Sequence, residues 1–340
     1  MKNSSEFINE SVFRVNQKYT DMQNKTKELF FKCLNAGASL EYFKNELEKL
    51  WGTLDRTFME KELAEYEAII HENNMATLEI KPTTPKEAKK TNKFFALVAG
   101  SVILATESKF TNAVKRDYKR TLKSPAYTMD KQQYLKMKVS RYDDEKVVTY
   151  WVKPKTINDR VTTRHVSMAT YNAMIHNTNM TRTAWNTTLN DADYLGYNKF
   201  YIPYHSFSCP HCVAHQEKML TQKEVMKLVG KVEEQRGDIL HPNCKCTLLI
   251  YDATKKGKKY KSKYDSEEKE EFYHIRQQVN TLTLEKSRIA TDIKIQKQLG
   301  NMDEVDKLNQ LRNKVNSQIR ELKNSLPNNE LKKQVVAINR

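Results

Sequence analysis

The sequence predicts a mainly α-helical protein that carries one small α+β module rich in cysteine and histidine. Three observations predict it. Glycine and proline number only 8 each in 340 residues, well under the usual share of roughly 7% and 5%. So few turn-formers leave room for few, long elements, and long elements are helices. Apolar residues make up 39% of the chain, below the roughly 45–50% of an ordinary globular domain, which suits elongated helices with much surface in water. Thirdly, apolar residues recur in steps of three and four over much of the chain, the period of a helix face.

Taken in order, Tyr42-Phe43, Leu47, Leu50-Trp51 and Leu54, then Leu63, Tyr66 and Ile69-Ile70, predict an N-terminal bundle of two or three amphipathic helices over residues 1–85. The two prolines of KPTTPKEAKK, from Lys81, mark its boundary. A helical core with a short strand is expected over 86–199. FFALVAGSVILA, Phe94 to Ala105, is the longest apolar run. It falls short of the roughly 20 residues that cross a bilayer, so a buried core helix is expected there. A basic segment follows from Lys115 to Lys123, then a strand at Lys146–Val152, KVVTYWV, and a helix from about Thr162 to Leu189. Residues 200–254 form the Cys/His-rich module, flanked by strand-like runs at Phe200–Tyr204 and Cys246–Tyr251. KKGKKYKSK then makes a basic linker over 255–265.

The C-terminal part, 266–340, reads as an antiparallel helical hairpin. Ile275, Val279, Leu282, Ile289 and Ile293 form one seam, interrupted once by Lys286; Val305, Leu308, Val315, Ile319, Leu322 and Leu326 form the other, ending at Pro327. Between them Gly300-Asn301 stops a helix with residues that tolerate a left-handed backbone, and Asp303-Glu304 suits the start of the next. A continuous dimeric coiled coil is the competing reading, and the Gly-Asn break disfavours it.

The formal net charge is +16 and the pI near 9.4, a field that attracts polyanions such as nucleic acid. The six lysines Lys255, Lys256, Lys258, Lys259, Lys261 and Lys263, with the Lys115–Lys123 segment, are the candidate phosphate contacts; a solvated basic face is the plain alternative. MKNSSEFINESVFRV has no apolar core of a secretory signal. A reducing cytosol is therefore expected, where lasting disulfides are uncommon.

Residues 205–246 hold four of the five cysteines (Cys209, Cys212, Cys244, Cys246) and four of the eight histidines (His205, His211, His215, His241). A CxxC turn lets both thiolates face one ion, and a CxC at the start of a strand projects residues i and i+2 to one face. Two such pairs make the ligand set of a closed structural zinc site. The 31 residues between Cys212 and Cys244 exceed the usual interval. His241 is a substitute for one cysteine, and His205, His211 and His215 compete for the same places. The same residues admit other chemistries. CPHC could be a redox pair, which would need a lowered thiol and an oxidising compartment, and the CxC pair would then lack a purpose. The cysteines could be plain small apolar residues. A hydrolytic site on His211 or His241 with Asp238 would lack the glutamate of H-E-x-x-H.

Cys209 and Cys212, followed some thirty residues later by His241, Pro242, Cys244, Lys245 and Cys246, resemble the motif of the minor capsid or head-morphogenesis proteins of tailed bacteriophages. TRTAWN, with Arg182, Thr183 and Asn186, resembles their upstream segment, and Tyr201-Ile202-Pro203-Tyr204-His205 and the C-terminal hairpin resemble one minor-capsid subgroup. The likeness spans about residues 160–325. It departs from the pattern at Glu217, where a glycine is common, at Ala184, where an acidic residue is, and at Lys245, where arginine is usual. The resemblance implies a structural virion protein without catalytic activity. It would be low in copy number, seated at the portal vertex or capsid interior after assembly in the host cytoplasm, and in contact with portal and capsid proteins. Double-stranded DNA is a further contact left open, and no membrane is implied. The competing function is a zinc-dependent nucleic-acid-binding protein or nuclease.

Overall fold

One central helix organises the molecule. The computed structural model describes residues 4–78, 86–141, 148–152, 162–205, 207–233, 244, 246–252 and 264–337. In chain order these build α1 (Ser4–Ala36), α2 (Leu40–Gly52), α3 (Thr57–Leu78), α4 (Lys86–Leu122), α5 (Pro125–Met129), α6 (Lys131–Arg141), β1 (Val148–Val152), β2 (Thr162–Val166) and α7 (Met168–Leu195). Then follow β3 (Lys199–Tyr201), α8 (Pro210–Val213), β4 (Met219–Thr221), α9 (Gln222–Glu233), β5 (Leu249–Ile250), α10 (Ser266–Gln298), α11 (Met302–Asn324) and α12 (Asn329–Ala337). The architecture is mainly helical with a small antiparallel sheet beside a cysteine-rich loop, as the composition and spacing predict.

The central helix is α7, against which α1, α3 and α4 all pack. Ser167 starts it, its hydroxyl accepting from the Thr170 backbone N–H at 3.2 Å. Its composition is a poor helix former's: Asn172, Asn177, Asn179, Thr181, Thr183, Thr187 and Thr188 are all buried. Such residues compete with the helix for their own backbone, so packing holds this helix rather than propensity. Several polar groups of α7 meet partners from each neighbour. Thr106 of α4 donates to Asn172 at 2.6 Å, Ser11 of α1 lies 2.7 Å from His176 Nε2, and Asn74 of α3 donates to Asp191 at 2.8 Å. Helices on both sides of the expected boundary at residue 85 therefore share one polar spine.

A separate apolar core lies between α1, α2 and α4. Phe43 and Tyr118 stack at 4.0 Å between ring centroids, and Phe30 meets both edge-on. The hairpin also forms as its spacing predicts. An Asp265/Glu268 capping box opens α10. Gly300, at φ +67°, closes it with Asn301 N–H to Gln296 C=O (2.9 Å) and Gly300 N–H to Lys297 C=O (3.1 Å). Ile289, Ile293, Val305 and Val315 fill the seam near this turn. The hairpin does not stand apart, because α10 lies along α1 through a Lys27–Asp292 ion pair at 2.5 Å and an Asn24–Ser287 hydrogen bond at 3.0 Å.

Two expectations are corrected. Residues 162–166 do not open a helix; they form β2, paired antiparallel with β1 from Val148↔Val166 to Val152↔Thr162. Thr162, Thr163 and Val166 are β-branched and favour a strand, while the Ser167 cap is what begins the helix. The second correction concerns Phe94–Ala105. It is helical, within α4, but it is not a buried core helix: Phe94, Leu97, Val98 and Leu104 are 61%, 68%, 46% and 51% exposed. The buried face of α4 carries Ile103, Phe110, Val114 and Tyr118, and α7 meets that side through the Thr106–Asn172 and Asn92–Thr187 hydrogen bonds. By length and composition alone the stretch Asn92–Leu122 could cross a membrane. Because Leu97 faces water, Leu97→Asp should shift Tm by no more than about 2 °C, whereas Val114→Asp should abolish the cooperative melt. A calorimetric scan of both variants checks the assignment of faces.

Candidate metal centre

Two cysteine pairs far apart in sequence meet because β3 is the middle strand of a three-stranded sheet, ordered β4-β3-β5. Phe200 pairs with Leu220 on one side and with Ile250 on the other. The loop after β3 carries Cys209 and Cys212, and the segment before β5 carries Cys244 and Cys246. Pairing of β5 with β3 therefore lays the CxC beside the CxxC.

Each pair is held by its backbone. Cys209 is the N-cap of α8, with Pro210 at the first helical position, and its carbonyl accepts from Cys212 N–H (3.0 Å) and Val213 N–H (3.1 Å). The loop is closed by Glu217 N–H donating to Ile202 C=O at 2.7 Å. The CxC side is clamped by α7. Asn177 and Thr181 donate to the Cys244 carbonyl at 2.8 and 2.7 Å, Trp185 Nε1 to the Cys246 carbonyl at 2.7 Å, and Thr188 to the Leu248 carbonyl at 3.2 Å. Alternate carbonyls of an extended chain point one way, and donors at helical spacing along α7 meet each of them. Buried carbonyls left without such donors would be costly.

The Sγ atoms of Cys212, Cys244 and Cys246 lie within 4.8 Å of one another, and all three residues are buried. The Cys212 and Cys244 sulfurs are 3.6 Å apart, far beyond a covalent bond, and no disulfide joins any of the five cysteines. With Zn–S near 2.3 Å, tetrahedral geometry separates two ligand sulfurs by about 3.8 Å, so this edge already has the right length. Cys209 hydrogen-bonds Cys212 and is half-buried; His205 Nε2 stands 3.7 Å from the Cys246 sulfur, and Gln216 Nε2 donates to that sulfur at 3.4 Å. Hydrogen bonds among the thiols of Cys209, Cys244 and Cys246, with burial, push the Cys212 thiol well up. Cys212 pulls the Cys246 thiol down, but Cys244 and burial outweigh it and that thiol also rises. A redox nucleophile needs the reverse, a lowered and accessible thiol. A divalent cation entering such a cluster displaces the thiol protons and is held by the sulfurs. Three buried sulfurs of this kind could hold a metal ion and are compatible with zinc.

Of the residues expected here, Cys212, Cys244 and Cys246 are brought together, Cys209 and His205 flank them, and His215 is half-buried on the turn after α8. His241, the side chain of His211 and the lysines Lys255–Lys263 lie outside the described residues. In the other basic segment Lys115 is paired with Glu48 at 2.8 Å, while Arg116, Lys119, Arg120 and Lys123 are exposed. The α7 clamp went unforeseen, although donors at 177, 181, 185 and 188 repeat at helical steps of three and four. Sequence reading assigned such residues to a helix without a reason for their polarity.

Among the described residues two non-glycine residues adopt the left-handed backbone region, and they bracket the CxxC: Phe207 at φ 64° and Glu217 at φ 60°. At position 217 a side chain in this backbone region costs roughly 1–2 kcal/mol. Glu217 recovers part of that through Lys269 Nζ at 3.4 Å. In urea unfolding, Glu217→Gly should be more stable than Glu217→Ala by about 1 kcal/mol, reversing the usual order of the two residues. An alanine variant as stable as the glycine variant would contradict the left-handed assignment.

No protein-family model, no curated protein and no solved structure matches this chain.

Proposed function

We propose that this chain is a structural minor capsid protein of a tailed phage, present in few copies at the portal vertex, where it docks on portal and capsid proteins. The cysteine module is its folding clip, with zinc held by Cys212, Cys244, Cys246 and a fourth ligand from Cys209 or His205. One observation carries the structural reading: the sulfurs of the cluster are sealed, with Cys212, Cys244 and Cys246 1%, 2% and 1% exposed. A catalytic metal keeps an open position for water or substrate, whereas a structural one is closed. The residue-level likeness to phage head proteins supports the placement. So does the apolar strip of α4, since apolar surface facing water marks a site of protein contact.

The reading is tested in particles of the phage whose genome encodes the chain. Mass spectrometry of purified heads should find it at a small fraction of the major shell protein, and heads without it would overturn the assignment. Contact with double-stranded DNA through Lys255–Lys263 predicts a steep fall of log K with log salt; a slope near zero removes that contact. Metal-dependent DNA cleavage abolished by His241→Ala would assign the nuclease instead.

A further inference from the structure

The exposed face of α4 is divided along its length. Phe94, Leu97, Ser101 and Leu104 follow one another in helical steps of three and four, all exposed, and Val98 and Ala105 widen this apolar line. The same steps continue through the neutral Ser108 and Asn112 to Arg116 and Lys119, with Arg120 beside them, all of them exposed. One half of the face is therefore apolar and the other cationic. Among the described side chains every exposed charge on α4 is a cation. The acids Glu107 and Asp117 are taken by Arg56 at 2.7 Å and Lys138 at 3.5 Å.

A cleft of about 230 Å³ lies beside this face, between α2 and α4. It continues the flank of the apolar line, since Leu97, Leu104 and Thr111 recur every seven residues and Thr111 is part of its wall. Leu47 and Trp51 of α2 give it an apolar lining. Its charges are already matched, Lys115 with Glu48 at 2.8 Å and Arg56 with Glu107 at 2.7 Å. Small-molecule sites begin near roughly 300 Å³, so the cleft suits one large side chain of a partner better than a free ligand.

Charge and shape select the occupant. A second copy of this chain is opposed by charge: parallel pairing would lay the cationic half on itself, and an antiparallel overlap of the apolar halves would bring Lys93 against Lys109, both exposed. DNA would leave Phe94, Leu97 and Leu104 uncovered. A bilayer is flat and cannot enter the cleft, and a helix made to lie in one carries its cations beside the apolar face rather than beyond its end. We propose that this face of α4 docks an amphipathic helix of a partner protein, apolar in one half and acidic in the other, with one bulky apolar side chain seated in the α2–α4 cleft. Matching α4 from Phe94 to Arg120 takes about 40 Å of helix. Apolar contact and the seated side chain supply the affinity, while carboxylates over Arg116, Lys119 and Arg120 set orientation and partner choice. The inference deepens the docking reading given above and rests on it for the occupant being a protein.

The test uses the full-length chain and a fluorescently labelled synthetic helix of about four heptads. The peptide carries leucine on the seam of its first half, one tryptophan at the junction and glutamate on the same face of its second half. Leu97→Asp should weaken its binding about tenfold, and so should Arg116→Glu combined with Lys119→Glu. All three positions face water, so these variants should melt as the wild type does. Gly52→Leu, on the cleft wall where an added Cβ meets nothing within 4 Å, should weaken binding several-fold; binding as in the wild type would overturn the cleft anchor. A wild-type chain that ignores the peptide overturns the proposal. So does binding that Leu97→Asp leaves unchanged, which would assign plain charge attraction. A sedimenting dimer that Leu97→Asp dissociates would give the face to a second copy, and flotation with phosphatidylglycerol vesicles lost in the same variant would give it to a bilayer; either result overturns it. Heads without the chain would end the phage placement while peptide binding stood, so the two readings fail separately.

Discussion

Cys244→Ser is expected to cost the chain its metal and the order of its cysteine module together. Wild-type protein purified under reducing conditions, without a histidine tag, should carry about one zinc per chain. Removing one of three mutually adjacent sulfurs should lower zinc affinity at least a hundredfold, or about 3 kcal/mol. In a small module that metal binding folds, that loss is also lost stability. The sheet is short, with β5 only two residues long, so a metal bridging the two pairs would add directly to the α7 hydrogen bonds that hold the CxC in place. Elemental analysis and circular-dichroism melts of the two proteins check this. Cys33→Ser is the control, because Cys33 sits in the α1–α2–α4 core and should leave zinc content unchanged. A Cys244→Ser chain that keeps its zinc and its melt would end the clip reading.

Trp185→Ala is expected to be the most damaging single truncation on α7. Trp185 is 1% exposed and among the largest fully buried side chains, packed in the core that also holds Phe200, Ile202 and the cysteines. Emptying such a site costs about 3–5 kcal/mol, and leaving the Cys246 carbonyl without its donor adds roughly 1–3 kcal/mol. Trp185→Phe separates the two effects, since it keeps most of the apolar bulk and removes the N–H. Urea denaturation should place Trp185→Phe about 1–3 kcal/mol below wild type, with an unchanged denaturant slope. A cost under about 0.5 kcal/mol would mean that the donors of α7 do not clamp the 244–248 segment.

These two residues also divide what sequence could and could not show. Cys244 was legible because a candidate metal ligand announces itself by residue type and spacing, both local properties. Trp185 was not, because its partner is a backbone carbonyl, and every residue has one. The same holds for Asn177 and Thr181, whose polarity inside a helix makes sense only once an extended segment is seen lying across it.

The hairpin of α10 and α11 was determined by sequence alone, since its two seams and the Gly300 stop are decided by neighbours within one or two turns. So was the helical character of α4. Which face of α4 meets water was decided by the tertiary structure: Phe94–Ala105 has the same hydropathy whether or not another helix covers it, and α7 covers only the opposite side. The meeting of the two cysteine pairs belongs to the same class. It depends on β5 finding β3 across some fifty residues of chain, a non-local pairing that no local pattern encodes. The left-handed turns at Phe207 and Glu217 are likewise tertiary. Neither residue prefers that backbone, and both adopt it because burial against α10 and the Lys269 contact outweigh the local cost.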